Sequence, residues 1–264
     1  MKIREIIETI NKECTWKSFN RKTRDRVLIG DSNQEVNEVI ICWVATNQVI
    51  DHAIQKGVHF IISHENPFYS SSTNMETRMY DAIEAKKKQC EDHQICMYRC
   101  HDVWDLIPNY GVSDVWARLL GYDFEPRVTS SYYQAANIPA CSVVKLAQHV
   151  AQSLCVDGEE GCYVYGNVNK VVSRIAIGTG AATNIFDMLD FKPDAVIVSD
   201  DGITNFTDAQ FAIDQNIPMV VVNHAGCEIG GLKNMVSYFE EKLPQIHAEY
   251  VDEGFHISYF VHES

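Results

Sequence analysis

Phe60-Ile61-Ile62-Ser63-His64-Glu65-Asn66-Pro67 is an apolar run that stops at a histidine, a carboxylate and a proline that no helix interior accepts. Two later stretches share its form. Cys96-Met97-Tyr98-Arg99-Cys100 leads into His101 with Asp105 four residues on, and Met219-Val220-Val221-Val222-Asn223 leads into His224 with Glu228 four residues on. Each reads as a strand that delivers a histidine at its C-terminal end beside a carboxylate. In open α/β sheets, ligands gather outside the carboxyl ends of the strands. Three such ends therefore point to one metal site.

Working outward, Val39 to Ala45 is a second β-branched run and reads as a buried strand. Thr46 or Asn47 can cap a helix that Gly57 ends, and the strand, helix, strand order predicts a parallel pair with a right-handed crossover. Upstream, Ile3, Ile6, Ile7 and Ile10 predict an amphipathic helix ending near Cys14, followed by a polar loop from Thr15 to Asn37. Downstream, a helix is expected from Asn74 to Gln89, with Lys86-Lys87-Lys88 in its last turn complementing the helix dipole. Val112 to Leu120 reads as a short helix stopped by Gly121.

Tyr122 to Pro139 carries two prolines and no sustained periodicity. It is the expected boundary between halves, dividing the chain into 1–125, with the first two histidine motifs, and 126–264, with the third. In the second half, strands are expected at Tyr163–Gly166 and Val171–Ile177, joined as a hairpin, and at Ala195–Ser199 and Pro218–Asn223. Helices alternate with them. Ile246–Val251 and His256–Val261 are expected to close the chain as a hairpin through Asp252-Glu253-Gly254. The predicted fold class is α/β, two similar halves with mixed, largely parallel sheets and the metal site between them.

A hydrophobic content of 46% and a charged content of 22% are ordinary for a globular protein. The net charge of −14, from 36 acidic against 22 basic residues, works against binding phosphate backbones, so nucleic acid is not expected as a partner. The first residues contain no apolar signal core, and no apolar run has the length needed to cross a bilayer. No membrane partner is expected. The nine cysteines then read as free thiols in a reducing, cytoplasmic compartment.

Imidazoles combined with carboxylates suit divalent transition metals such as zinc, manganese, iron or nickel, whereas magnesium and calcium prefer oxygen alone. Isolated His/acid pairs arise by chance among ten histidines and 36 acids, and most end as ordinary hydrogen-bonded residues. Three at strand ends outweigh that reading. His64, Glu65, His101, Asp105, His224 and Glu228 exceed what one ion needs and, with a bridging acid, suit two. Gly178-Thr179-Gly180 lacks the rest of a phosphate-binding fingerprint and reads as a plain strand-to-helix turn. Cys227 reads as a small buried residue.

These motifs resemble the Nif-three-like dinuclear-metal-centre family, also called the type-two GTP cyclohydrolase I homologs. The family's His-His-Pro-like, His-Thr-x-x-Asp-like and Gly-His-x-x-x-Glu-like motifs fall on His64-Glu65-Asn66-Pro67, His101 to Asp105 and Asn223 to Glu228. Gly111 to Gly121 is similar to the segment that follows the second motif, and the resemblance runs from about Val39 to Leu243. It implies two α/β halves with the metals between them and a toroidal hexamer. Glu65 replaces a histidine of the family and makes the donor set harder and anionic, which shifts the expected metal preference away from zinc. Asn223 replaces a glycine, the family's N-terminal Trp-Asp-Asn-like segment has no counterpart in Trp16–Asp31, and its Thr-Gly-Asp-like turn is present only as Val198-Ser199-Asp200-Asp201.

The expectation is a hydrolase-like protein using two divalent ions on a phosphorylated or nucleotide-like small molecule. His64, His101 and His224 would be terminal ligands, Asp105 or Glu228 a bridge, and Glu65 a ligand or the general base. The alternative is a metal-binding scaffold or regulatory partner without turnover. Coordination separates the two, since open positions favour catalysis and a closed shell favours a structural role.

Overall fold

The computed structural model describes residues 1–13, 23–69, 77–203 and 206–260. The expected loop residues 15–22, the start of the helix expected at Asn74 and residue 261 of the last expected strand lie outside the described residues. Two compact units form, Met1–Gly111 with Leu232–Gly254, and Val112–Gly231 with Phe255–Ser264.

In the first unit, helix α1 (Ile3–Glu13) buries Ile3, Ile6 and Ile10, as their spacing requires. Strand β1 (Arg26–Ile29) precedes β2 (Glu38–Cys42), α2 (Asn47–Lys56), β3 (Phe60–Ser63), α3 (Thr77–Asp92), β4 (Cys96–Arg99) and the short α4 (Asp102–Leu106). Gly57 ends α2 at φ 70°, its N–H bonded to the Ala53 and Ile54 carbonyls. Strands β2 and β3 are buried along almost their whole length, which is what their unbroken apolar runs demand of central parallel strands.

The second unit contains α5 (Val112–Leu120), β5 (Gln134–Ser142), α6 (Val143–Leu154), β6 (Tyr163–Tyr165), β7 (Val171–Ile177), α7 (Ile185–Met188), β8 (Ala195–Ser199), α8 (Phe206–Asp214) and β9 (Met219–Val222). Helix α9 (Gly226–Lys242) starts in this unit, and its residues from Leu232 belong to the first, as does β10 (His247–Tyr250). The two sheets have five strands each, ordered β1-β4-β3-β2-β10 and β5-β7-β8-β9-β6. The first is parallel except for β1 on β4. The second is parallel through β7, β8 and β9 and antiparallel at both edges. The expected class, α/β with mixed sheets, is the one observed.

Besides the loop expected from Thr15 to Asn37, which holds β1, three local expectations need correction. Strand β6 pairs with β9 rather than forming a hairpin with β7, because β7 buries Val172, Ile175, Ala176 and Ile177 and takes a neighbour on each side, β5 and β8. The partly exposed Tyr163 and Tyr165 suit an edge. The closing hairpin is also absent. Strand β10 lies parallel to β2, from His247 opposite Glu38 to Tyr250 opposite Ile41, and residues 251–260 carry no strand. The Trp43 amide donates to Glu253 Oε2 at 3.3 Å, which folds the Asp252–Gly254 turn onto the end of β2. Finally, β5 occupies part of the segment expected to be irregular. Its Pro139 falls inside the register shift between Asn137 and Cys141, on an edge strand, where proline is tolerated.

The first unit's core gathers Ile40, Val49, Ile50, Ile61, Ile95 and Met97. Those of the second lie on both faces of its sheet, with Trp116, Leu146 and Ile197 in one cluster and Met188, Val196 and Val221 in the other. Each fully buried Ile, Leu or Val contributes roughly 1.5–3 kcal/mol. The described cysteines are free thiols. No helix among the described residues is long and apolar enough to cross a membrane.

Candidate metal centre

In the first unit, β3 and β4 are parallel neighbours with Ser63 opposite Arg99, so the residues just beyond them emerge side by side. His64 and His101 stack with ring centroids 4.5 Å apart and planes 6° from parallel. His64 Nδ1 donates to the Cys100 carbonyl at 3.0 Å, leaving Nε2 to face Asp105 Oδ1 at 3.4 Å. A backbone partner of this kind fixes the tautomer and aims the other nitrogen. His101 Nδ1 lies 3.2 Å from Asp105 Oδ2 and 3.3 Å from Asp102 Oδ1, and Nε2 donates to Glu65 Oε1 at 3.1 Å.

The Pro108 downstream predicts a tight turn or a single helical turn after His101, and α4 is that single turn. Asp25 holds its N-terminus, accepting from the His101 amide at 2.8 Å and the Val103 amide at 3.2 Å. A carboxylate there meets both unsatisfied N–H groups and the positive end of the turn. Burial nonetheless raises the Asp25 pKa. Asp102 accepts from the Arg24 amide at 2.7 Å and pairs with its guanidinium at 3.3 Å. Burial works against its charge, but these donors and His101 outweigh that and hold its pKa well below the usual carboxylate range. Burial likewise opposes protonation of His101, yet Asp105, Asp102 and Glu65 together raise its pKa well above the imidazole range.

His64, His101 and Asp105 are 0%, 7% and 3% exposed, and each places a ligand atom within 4.8 Å of the others. Asp105 Oδ1 is buried without a hydrogen bond among the described residues. Two imidazoles, a carboxylate and a buried oxygen lacking a donor fit a divalent transition metal. Glu65 is engaged at both oxygens, since Arg99 Nη2 donates to Oε2 at 2.6 Å while Oε1 meets His101. Lys86, expected in a last helical turn, lies within α3, which runs on to Asp92. It is buried and donates to the Ala45 carbonyl at 3.2 Å and the Pro67 carbonyl at 2.9 Å, pinning the loop that follows His64.

In the second unit, β9 runs into Asn223 and His224. Asn223 Oδ1 accepts from the Gly226 amide at 3.2 Å, which opens α9 and gives the residue found in place of the family's glycine a capping role. His224 Nδ1 donates to Asp201 Oδ2 at 2.8 Å, its amide donates to Asp200 Oδ1 at 2.9 Å, and Nε2 faces Glu228 Oε1 at 3.2 Å. The i, i+4 spacing of His224 and Glu228 therefore brings the pair together on the start of the helix. Cys227 Sγ donates to the His224 carbonyl at 3.1 Å. Burial, with Glu228 adding to it, pushes its thiol well above the ordinary range, so it stays an inert neutral group.

Gly180 belongs to the Gly178-Thr179-Gly180 stretch that reads in sequence as a plain strand-to-helix turn. It has φ +57°, and a Cβ there would lie 2.2 Å from Glu228 Oε1 and 2.7 Å from His224 Nε2. The turn is locked from behind, where Ser199 Oγ and Thr183 Oγ1 donate to the Gly180 carbonyl at 2.5 and 2.9 Å. A glycine and a pair of acids at the ends of β7 and β8 were the available signals, but which strand end faces His224 depends on sheet order.

A strand-end set of imidazoles and carboxylates in each of two mixed α/β units defines an α/β protein with a candidate metal centre. The chain belongs to the Duf34/NIF3 (NGG1p interacting factor 3) family, whose model matches residues 1–253. It is 22% identical over 210 residues to a GTP cyclohydrolase 1 type 2 homolog of Clostridium acetobutylicum, covering 76% of each protein. A protein of the same description from Staphylococcus aureus is 29% identical over 121 residues, 46% of this chain but 32% of that one. The match thus spans about a third of the length of the Staphylococcus aureus relative. Among solved structures, protein ybgI, described as of unknown function, superposes with a TM-score of 0.78 at 19% identity, covering 96% of this chain and 98% of that one. A Bacillus cereus protein related to NIF3 gives 0.77 at 16% identity, covering 100% and 99%. Reduced HcgD from Methanocaldococcus jannaschii gives 0.72 at 18% identity, covering 95% and 97%. These likenesses establish the fold.

Proposed function

We propose that the protein is a metal-dependent hydrolase with a dinuclear centre, acting on a phosphorylated or nucleotide-like small molecule. His64, His101 and Asp105 from the first unit and His224 and Glu228 from the second would hold the two ions, with Glu65 beside His101. The observation that carries this reading is the buried His64/His101/Asp105 cluster, with a carboxylate oxygen that no hydrogen bond satisfies among the described residues. These residues would hold a divalent ion there, which would supply Lewis-acid activation of substrate and water. The chain's own residues fix the donors in place. The Cys100 carbonyl aims His64, Asp25 anchors the turn that carries His101 and Asp105, and Asp201 aims His224. The family resemblance adds a homo-hexamer in the cytoplasm to the proposal, which light scattering of the purified protein tests for assembly.

Elemental analysis of protein purified without chelators or added metal tests the centre. The expected result is about two ions per chain in the wild type, falling sharply in His101→Ala and in His224→Ala. A folded wild type that is free of metal and takes up no added zinc, manganese, iron or nickel would sink the proposal. Phosphoester and nucleotide substrates are then screened on the loaded protein. Bound metal without any turnover would favour the scaffold reading.

A further inference from the structure

Glu65 stands at the C-terminal end of β3, where the resembling family has a histidine, and its surroundings point to a different job from coordination. Arg99, the last residue of β4, reaches across with Nη2 2.6 Å from Glu65 Oε2, while its Nε donates to the His64 carbonyl at 3.2 Å. Glu65 Oε1 in turn accepts from His101 Nε2 at 3.1 Å. The two side chains of the ion pair are 12% and 19% exposed, so solvent does little to weaken it. A carboxylate gripped on one oxygen by a guanidinium and on the other by an imidazole N–H has its geometry set before any ion arrives.

The consequence falls on His101. Glu65 occupies Nε2, so the ring nitrogen turned toward the other acids is Nδ1, 3.2 Å from Asp105 Oδ2 and 3.3 Å from Asp102 Oδ1. His64 presents Nε2 to the other oxygen of the same Asp105. The His64 and His101 nitrogens thus both meet Asp105, while Glu65 holds the other nitrogen of the His101 ring.

We propose that Glu65 is a positioning residue, the middle of an Arg99–Glu65–His101 relay that orients the His101 ring toward the Asp105 cluster, with Arg99 as its anchor. Arg99 matches the charge that Glu65 carries into this mostly buried position, since an unpaired carboxylate there would be costly. The inference rests on the reading of His64, His101 and Asp105 as metal ligands, and it adds residues that act on the ion through His101 alone.

Cobalt(II) titration of the metal-free protein separates these roles, because the visible bands of bound cobalt report the number and kind of coordinating atoms. Glu65→Gln and Arg99→Met should each weaken cobalt binding roughly 10- to 100-fold, the usual cost of losing an orienting partner, with band positions and intensity at saturation unchanged. The double variant should be no weaker than the worse single one, as expected of two members of one relay. Arg99→Lys, which keeps the charge, should recover part of the loss. Bands that shift in Glu65→Gln would make Glu65 a ligand and overturn the proposal. So would additive losses in the double variant, or affinities equal to wild type. If Arg99→Met fails to give a cooperative thermal melt, Glu65→Gln and Arg99→Lys decide by the same criteria. A wild type that takes up no cobalt would bring down the metal-centre reading itself, a result distinguishable from any of these.

Discussion

The two units arrange their histidines in contrasting ways. In the first, two of the carboxylates beside His101 are matched by arginines, Arg99 on Glu65 and Arg24 on Asp102, and the cluster lies buried behind them. In the second, His224 sits between Asp201, whose side chain is 65% exposed, and the buried Glu228, with the backbone of Gly180 pressed against both ligand atoms. Charge balance built from side chains lets the first site keep its shape by itself. The second relies on a close backbone approach and on acids at its rim, so it has more to gain from a cation.

Backbone bulk should therefore hurt the second site most. Gly180→Ala should cost roughly 1–3 kcal/mol, from a left-handed alanine and a Cβ that displaces Glu228 and His224, and should remove about one ion per chain. Thermal melts and elemental analysis on the same preparation check it, and an unchanged metal content would show that the turn is not part of the site. Asp201→Asn comes next. It keeps shape but weakens the hold on His224 Nδ1, and its exposure places the expected loss of metal affinity near the lower end, about tenfold. Competition with a chromophoric chelator measures this, and a loss as large as that of Glu65→Gln would erase the distinction between exposed and buried orienting acids. The smallest effect calibrates the others. Asp194, remote from both motifs, accepts from the Ser173 amide, the Ser173 hydroxyl and the Arg174 amide. Burial opposes its charge but these bonds prevail, holding its pKa below the ordinary carboxylate value. Its contribution is fully present above the unfolded pKa of about 3.9 and is lost as pH falls through the folded value. Asp194→Asn should flatten this acid limb by under about 1 kcal/mol, read from urea melts at neutral and acid pH. An identical pH dependence in the variant would refute the assignment.

Much of this was readable in the chain. The unbroken apolar runs before His64, His101 and His224 mark central parallel strands, and such strands deliver their next residue to one edge of the sheet. The four-residue step to Asp105 and Glu228 then needs only a helical turn. What escaped depends on partners remote in sequence. Strand β1 is four residues with two exposed positions, and β5 carries alanines, an asparagine and a proline, so neither shows the pattern of a half-buried strand. Arg99 reads as one more strand residue until Ser63 is known to lie opposite it. Asp201 and Gly180 belong to the site only because β7, β8 and β9 are adjacent, an order that no local periodicity encodes.

The place of β10 has a consequence for how the protein comes to be folded. Its four residues complete the sheet of the first unit beside β2, yet nearly the whole second unit is translated between them. Closing so long a loop is slow, because its entropy is lost before the pairing repays it. On the ribosome, the β2 edge would stay open while residues 112–231 emerge as a continuous, locally connected domain. The unit whose cluster is best prepared in the finished protein is thus the one whose sheet is completed later.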